Sequence, residues 1–239
     1  MKKLIFLSFI LIFLCQACSH TSYKFFRSYI TKYKLYEDIE LDITMAGNIV
    51  IRGHKITEHY SYDSDGNNRE RYDELCKLHN DISYNTKRSY MASPLWGVCS
   101  AVDFKSISVI SDSDFDDAHP KGTTLNDIIK FVSNSPKKFI DSNYKATFDW
   151  SKDSPEIFKI EPKAYPSGID SNNHFPIYKF LSELNEDDMQ MLPTWSNNDS
   201  IGFLVFDKEP TLEKEHTLTI TIKTRNGKTF VKAIKKVFK

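Results

Sequence analysis

Cysteine, glycine and net charge are all scarce in this sequence. Of 239 residues only 4 are cysteine and 8 glycine, and 32 basic side chains balance 32 acidic ones. A chain with no excess of positive charge lacks the electrostatic footprint of a nucleic-acid binder, so nucleic acid is excluded as a partner. No apolar run is long enough to span a bilayer. The longest, Leu4 to Leu14, is interrupted only by Ser8 and would rise about 16 Å as a helix, roughly half of a hydrocarbon core. Beyond Cys18 there is no H-E-x-x-H, G-x-S-x-G, P-loop or C-x-x-C. His54, His59, His79, His119, His174 and His216 show no metal-ligand spacing.

What is present begins at the amino terminus. Lys2 and Lys3 precede the apolar run, and Leu14-Cys15-Gln16-Ala17-Cys18 closes it before the composition turns polar at Ser19. A basic start, a short apolar core and a small residue before the break describe a signal peptide over residues 1–17, which is set aside from fold reasoning. The pentapeptide resembles a bacterial lipobox, with Cys15 where an aliphatic residue is usual. That resemblance implies a diacylglycerol thioether on Cys18, a tether over 18–24 and one β-rich domain over 25–239. Two or more acyl chains anchor a protein stably, so the membrane becomes a partner through Cys18. Ser19-His20-Thr21-Ser22 has no acid, which favours a periplasm-facing position over surface export.

In the body, alternation from Leu35 to Thr44 predicts a half-buried strand, and Ile49 to Tyr62 one or two more. Strand character returns over Val98–Ser111 and over Ile201–Phe206. Arg71 to His79 reads as a short helix. Leu125, Ile128, Ile129 and Val132 stand at i, i+3, i+4 and i+7 after a capping-box-like Thr124, which predicts an amphipathic helix. Ile177, Phe180, Leu181 and Leu184 predict another. Asn226-Gly227 between two alternating runs predicts a two-residue type I′ hairpin, setting Thr224 opposite Thr229, Ile222 opposite Val231 and Ile220 opposite Ala233. Lys223 and Lys232 then fall on the other face. The basic run from Lys223 to Lys239 reads as a solvated face or a guarded sheet edge.

Candidate sites are few. Asp63, Asp65, Asn67 and Glu74 fall at positions 1, 3, 5 and 12 of a calcium-loop pattern, although Asn68 replaces its glycine; the same residues also read as turn chemistry, which is preferred. The acidic loop Asp112–Gly122 fails that template and reads as solvated. Cys76 and Cys99 are two body cysteines of an exported chain, either paired as a disulfide or standing as buried thiols. Trp150 and Trp195 are core residues or an aromatic platform for a sugar ring. Asp149, Asp153 and Glu156 are dispersed carboxylates that a hydrolase would bring to about 5–10 Å of one another.

The leader ending in cysteine, the segment SISVISDSDFDDAHPKGTTLNDIIKF and the late GFLVFDKEP…HTLTITIKTRNGKTF hairpin together resemble a group of uncharacterised Bacteroidota lipoproteins. The resemblance implies a secreted, lipid-anchored, β-rich domain and carries no catalytic residue with it. Asp199-Ser200-Ile201 resembles the sequon that this phylum O-glycosylates, which points to Ser200. The expected fold is mainly β: an antiparallel sandwich, immunoglobulin-like in its specific form, with one or two short helices. The expected function is a membrane-anchored envelope lipoprotein that binds glycan or protein without catalysis; the alternatives are an envelope hydrolase and a purely structural component.

Overall fold

The computed structural model describes residues 26–85, 97–164, 171–194 and 199–239. The leader, Cys18, the tether and Trp195 lie outside them. Two sheets dominate. The larger takes the order β3-β1-β2-β7-β5-β6, from Val98–Ser100, Lys32–Ile43, Ile49–Ser61, Ser200–Phe206, Ile129–Ser135 and Phe175–Phe180. The smaller takes the order β4-β8-β9, from Phe104–Ser111, Glu215–Thr224 and Thr229–Val237. They face each other across a shared core in which Ile39, Ile51, Phe131 and Leu204 of the large sheet pack with Ile107, Val109, Ile220 and Ile222 of the small one.

The β1-β2-β7-β5 and β4-β8-β9 orders are those of strands A-B-E-D and C-F-G in a constant-type immunoglobulin sandwich. The likeness is one of strand order. β2 and β8 hold no cysteine and β4 no tryptophan, so the usual pin between the sheets is replaced by aliphatic packing. Two strands are additions: β6 extends the sheet beyond β5, and β3 lies parallel to β1. That parallel pair departs from an all-antiparallel sandwich. The chain reaches β3 by a long connection through helix α1, Gly66–Leu78, and a parallel neighbour needs a long connection.

Helix α1 buries Tyr72, Leu75 and Cys76, one helical stripe. It ends because Asn80 takes φ +57, with Asp81 N donating to Cys76 O and Asn80 N to Lys77 O, a Schellman closure. That closure aims Asp81 inward. Its carboxylate, fully buried, accepts from the Tyr29 and Ile30 amides at 2.7 and 2.8 Å and from the Tyr144 hydroxyl at 3.0 Å. Burial pushes Asp81 up to about 6 against those three bonds. Three further helices are one turn or little more: α2 Lys137–Asp141, α3 Trp150–Asp153 and α4 Ile157–Ile160.

Two expected helices are strands. Ile129 and Val132 belong to β5, and Ile177 and Phe180 to β6. β5 is covered on both faces: Ile129 and Phe131 enter the core between the sheets, while Val132 packs with Trp150 and Phe158 on the outer face. Apolar residues on both faces destroy the period-2 signal and mimic helical spacing.

The β8–β9 hairpin also differs. Lys223 pairs with Thr229, Ile222 with Phe230 and Ile220 with Lys232, one residue out of the expected register. Gly227 takes φ +88 but Asn226 does not leave the negative range, whereas a type I′ turn needs both positive. Arg225-Asn226-Gly227 is therefore a three-residue loop closed between Thr224 and Lys228. A one-residue slip exchanges the faces of β9. Phe230 goes inside, Val231 outside, and Lys232 and Lys236 turn inward with it. Lys228 bonds Glu37 O, Lys232 pairs with Asp38 and Lys236 bonds Gly47 O, so three lysines guard the free edge of β9.

Candidate functional site

Where the large sheet ends at β6, the chain leaves a cleft of about 450 Å³. One wall is α2. Ser135 Oγ accepts from Lys137 N and donates to Gln190 O, which fixes the turn from β5 into that helix. The opposite wall is the turn at Asn185–Asp188. Asn185 Oδ1 accepts from the amides of Asp187 and Asp188, and Asp188 Oδ2 accepts from Asn185 N. The floor is apolar: Phe148, Phe175, Pro176 and Ile177. Phe148 and Phe175 stand 6.0 Å apart between centroids, and Trp150 backs Phe148 at 5.0 Å.

The charges around this floor are mostly spent inside the protein. Lys179 grips both oxygens of Asp188 at 2.8 and 2.9 Å, Lys137 meets Asp141 at 2.6 Å, and Gln190 donates to Asp187 Oδ1 at 2.7 Å. Three groups keep open valences. Lys138 Nζ lies 4.8 Å from the Phe175 centroid and, among the described residues, faces no carboxylate. Asn185 Nδ2 and the second oxygen of Asp187 are likewise uncommitted. An apolar floor with a few convergent polar groups is the composition of a binding cleft.

No protein-family model, characterised protein or solved structure matches this chain.

The sequence-predicted sites lie elsewhere. Asp63 accepts from Ser61 Oγ, Asp65 precedes α1, and Asn67 and Glu74 are inside that helix, with Glu74 bonded to Arg71. A helix beginning at Gly66 carries Asn67 and Glu74 onto its own surface, so the four do not form a calcium loop. Among the described residues no group of three or more His, Cys, Asp or Glu is placed to hold a metal. Cys76 and Cys99 are free thiols within one aromatic cluster; burial pushes Cys76 up to about 12 and Cys99 well above its ordinary range. Ser200 opens β7 with no exposed surface, so the folded domain offers no hydroxyl there for O-glycosylation.

The dispersed carboxylates do not converge. Asp149 caps α3 through Ser151 N and pairs with Lys152 at 2.8 Å, hydrogen bonds that hold it down at about 2; Glu156 pairs with Lys159 at 2.6 Å. Neither they nor Asp153 line the cleft. Trp150 is core rather than platform, its indole N–H donating to Ser171 O and His174 O. In the loop at Asp112–Gly122 the acids organise the loop itself: Asp112 accepts from Thr217 N, Asp114 from Lys121 N, and Asp116 from the Ala118 and His119 amides. The cleft residues carry no motif. The one local signal was Asn185-Glu186-Asp187-Asp188, an Asx-turn sequence beside a Phe-Pro strand start.

Proposed function

We propose that this protein is a cell-envelope lipoprotein, held to a bacterial membrane by acyl chains on Cys18 and facing the periplasm, and that its sandwich is a non-enzymatic binding module. The observation that carries the binding half is the cleft at the β6 edge, where Phe148 and Phe175 meet the open valences of Lys138, Asn185 and Asp187. Its remaining carboxylates face ammonium groups or an amide, an arrangement that shapes a surface rather than one that shuttles protons. Glycan and protein are the two ligand classes such a cleft serves.

The anchoring half is supported by the leader and by how soon the fold begins. Phe26, Tyr29 and Ile30 are already buried, and Asp81 grips the amides of the last two. From Cys18 to Phe26 an extended chain reaches on the order of 27 Å, so the body would ride close to the headgroups. No helix among the described residues is long and apolar enough to cross a membrane.

Metabolic labelling with a palmitate analogue tests the anchor. The wild type should take the label and fractionate with membranes, and Cys18→Ala should do neither; an unlabelled wild type overturns this half. Phe175→Ala should abolish binding of whatever oligosaccharide or peptide the wild type retains, and undiminished binding overturns the assignment of the cleft.

A further inference from the structure

The four free edges of the two sheets are not alike. β3 is covered, because Ser100 N donates to Leu192 O and Thr194 N to Val98 O. β4 is covered by the segment after its loop, where Gly122 N donates to Ser111 O and Leu125 N to Val109 O. β9 is guarded by Lys228, Lys232 and Lys236, all turned in onto β1 and the turn that follows it. β6 alone has neither cover nor inward charge among the described residues.

The register says which groups β6 presents. Leu181 N donates to Ile129 O, so with the β5–β6 pairing the main-chain groups of Phe175, Ile177 and Lys179 point to β5. Those of Pro176, Tyr178 and Phe180 point outward. Proline has no N–H to offer, and Phe180 O is taken by Glu183 N. What is left open is Pro176 O, Tyr178 N–H, Tyr178 O and Phe180 N–H, at strand pitch and directly beside the cleft. A saccharide has no matching ladder of alternating donors and acceptors; a polypeptide does.

We infer that the ligand is an extended polypeptide that joins the large sheet as a strand outside β6 and lays an apolar side chain on Phe148 and Phe175. This rests on the cleft being the binding site. Main-chain bonds supply the grip, and alternate side chains of the added strand enter the cleft, where Asn185, Asp187 and Lys138 meet its polar neighbours. Pro176 then limits the open edge to a short stretch, which favours one docked strand over edge-to-edge association of copies.

The test uses the full-length lipoprotein in detergent micelles, a displayed library of short linear peptides and, in parallel, a panel of oligosaccharides. Enriched peptides are synthesised and titrated against the wild type, Phe175→Ala, Tyr178→Ala and Tyr178→Pro. Because the Tyr178 N–H faces away from β5, proline there removes an edge donor without cutting the ladder. Tyr178→Pro should weaken peptide binding about tenfold or more, while Tyr178→Ala stays within about threefold. On the wild type, peptide should slow hydrogen exchange at the Tyr178 and Phe180 amides, a readout that does not depend on a variant folding. Peptide binding that needs Phe175 but ignores Tyr178→Pro and leaves those amides unprotected overturns strand addition and keeps the cleft. So does binding of an oligosaccharide alone, if it needs Phe175. Binding of neither class overturns both.

Discussion

The ring of Tyr36 occupies the space that a side chain at Gly53 would need. A Cβ on Gly53 would lie 2.2 Å from Tyr36 Cε1, closer than any real contact. The two residues sit diagonally across the β1–β2 ladder, where Ile39 is the partner of Gly53 and Ile56 that of Tyr36. The missing Cβ lets a buried tyrosine lie flat on its own sheet and reach Asp199 with its hydroxyl at 3.2 Å. Gly53→Ala should therefore destabilise by about 1–3 kcal/mol, the usual cost of overpacking. Urea unfolding measures it. In the background of Tyr36→Ala the same change should cost much less, and additive losses would mean that the ring simply moves aside.

His119 bridges two carboxylates, with Nδ1 2.7 Å from Asp116 Oδ1 and Nε2 3.0 Å from Asp127 Oδ1. Both contacts need a proton on the ring. Burial works against that charge, but the bonds to Asp116 and Asp127 outweigh it and hold His119 above its ordinary 6.5. Despite its own desolvation, Asp116 is held well below the usual carboxylate range by Lys208 and His119. A raised folded value means that this stabilisation is complete below pH 6.5 and is lost as pH rises through the folded value. Subtracting the stability–pH curve of His119→Gln from that of the wild type should leave a loss on the order of 1 kcal/mol above pH 6.5. A flat difference would show that the bridge is not charged.

His174 behaves in the opposite sense. Its ring is buried edge-on to Tyr29 at 5.9 Å, and neither nitrogen has a partner. Burial alone pulls it down to about 4, so the folded state resists protonation and loses stability as pH falls from 6.5 towards 4. The full effect is on the order of 3 kcal/mol. His174→Phe keeps the ring contact and removes the orphan donor. It should be about 1–3 kcal/mol more stable at pH 7 and should lose less on acidification. Reduced stability together with unchanged acid sensitivity would contradict the buried, unpartnered placement.

The hairpin loop makes a third distinction. Gly227 stands in the left-handed region, so Gly227→Ala should cost about 1–2 kcal/mol. Asn226 acts through its side chain, whose Oδ1 accepts from Thr224 Oγ1 at 2.6 Å. Asn226→Gly should then destabilise by about 1 kcal/mol, whereas in a type I′ turn it would be neutral or better. Thermal melts of the two single variants decide between the loop geometries.

How much of this was legible in advance depends on which residues answer to local physics. β1, β2 and β7 were visible because one or both faces repeat an apolar choice, and β8–β9 because Asn226-Gly227 punctuates two alternating runs. α1 was visible in part, through Tyr72, Leu75 and Cys76. β5 and β6 were misread because cover from both sides erased their period, something set by residues such as Trp150 and Phe158 that are distant in sequence.

By itself the sequence determined that the chain is mainly β, where its last hairpin turns and that its charge is balanced, since these follow from nearest-neighbour patterning and composition. The register of that hairpin, the burial of Ser200 and of the two thiols, and the cleft at β6 were decided only by tertiary structure. Each depends on which side chains meet across tens of residues: Ser135 with Gln190, Lys179 with Asp188, Phe148 with Phe175. Packing contacts of that kind leave no periodic trace in the chain that makes them.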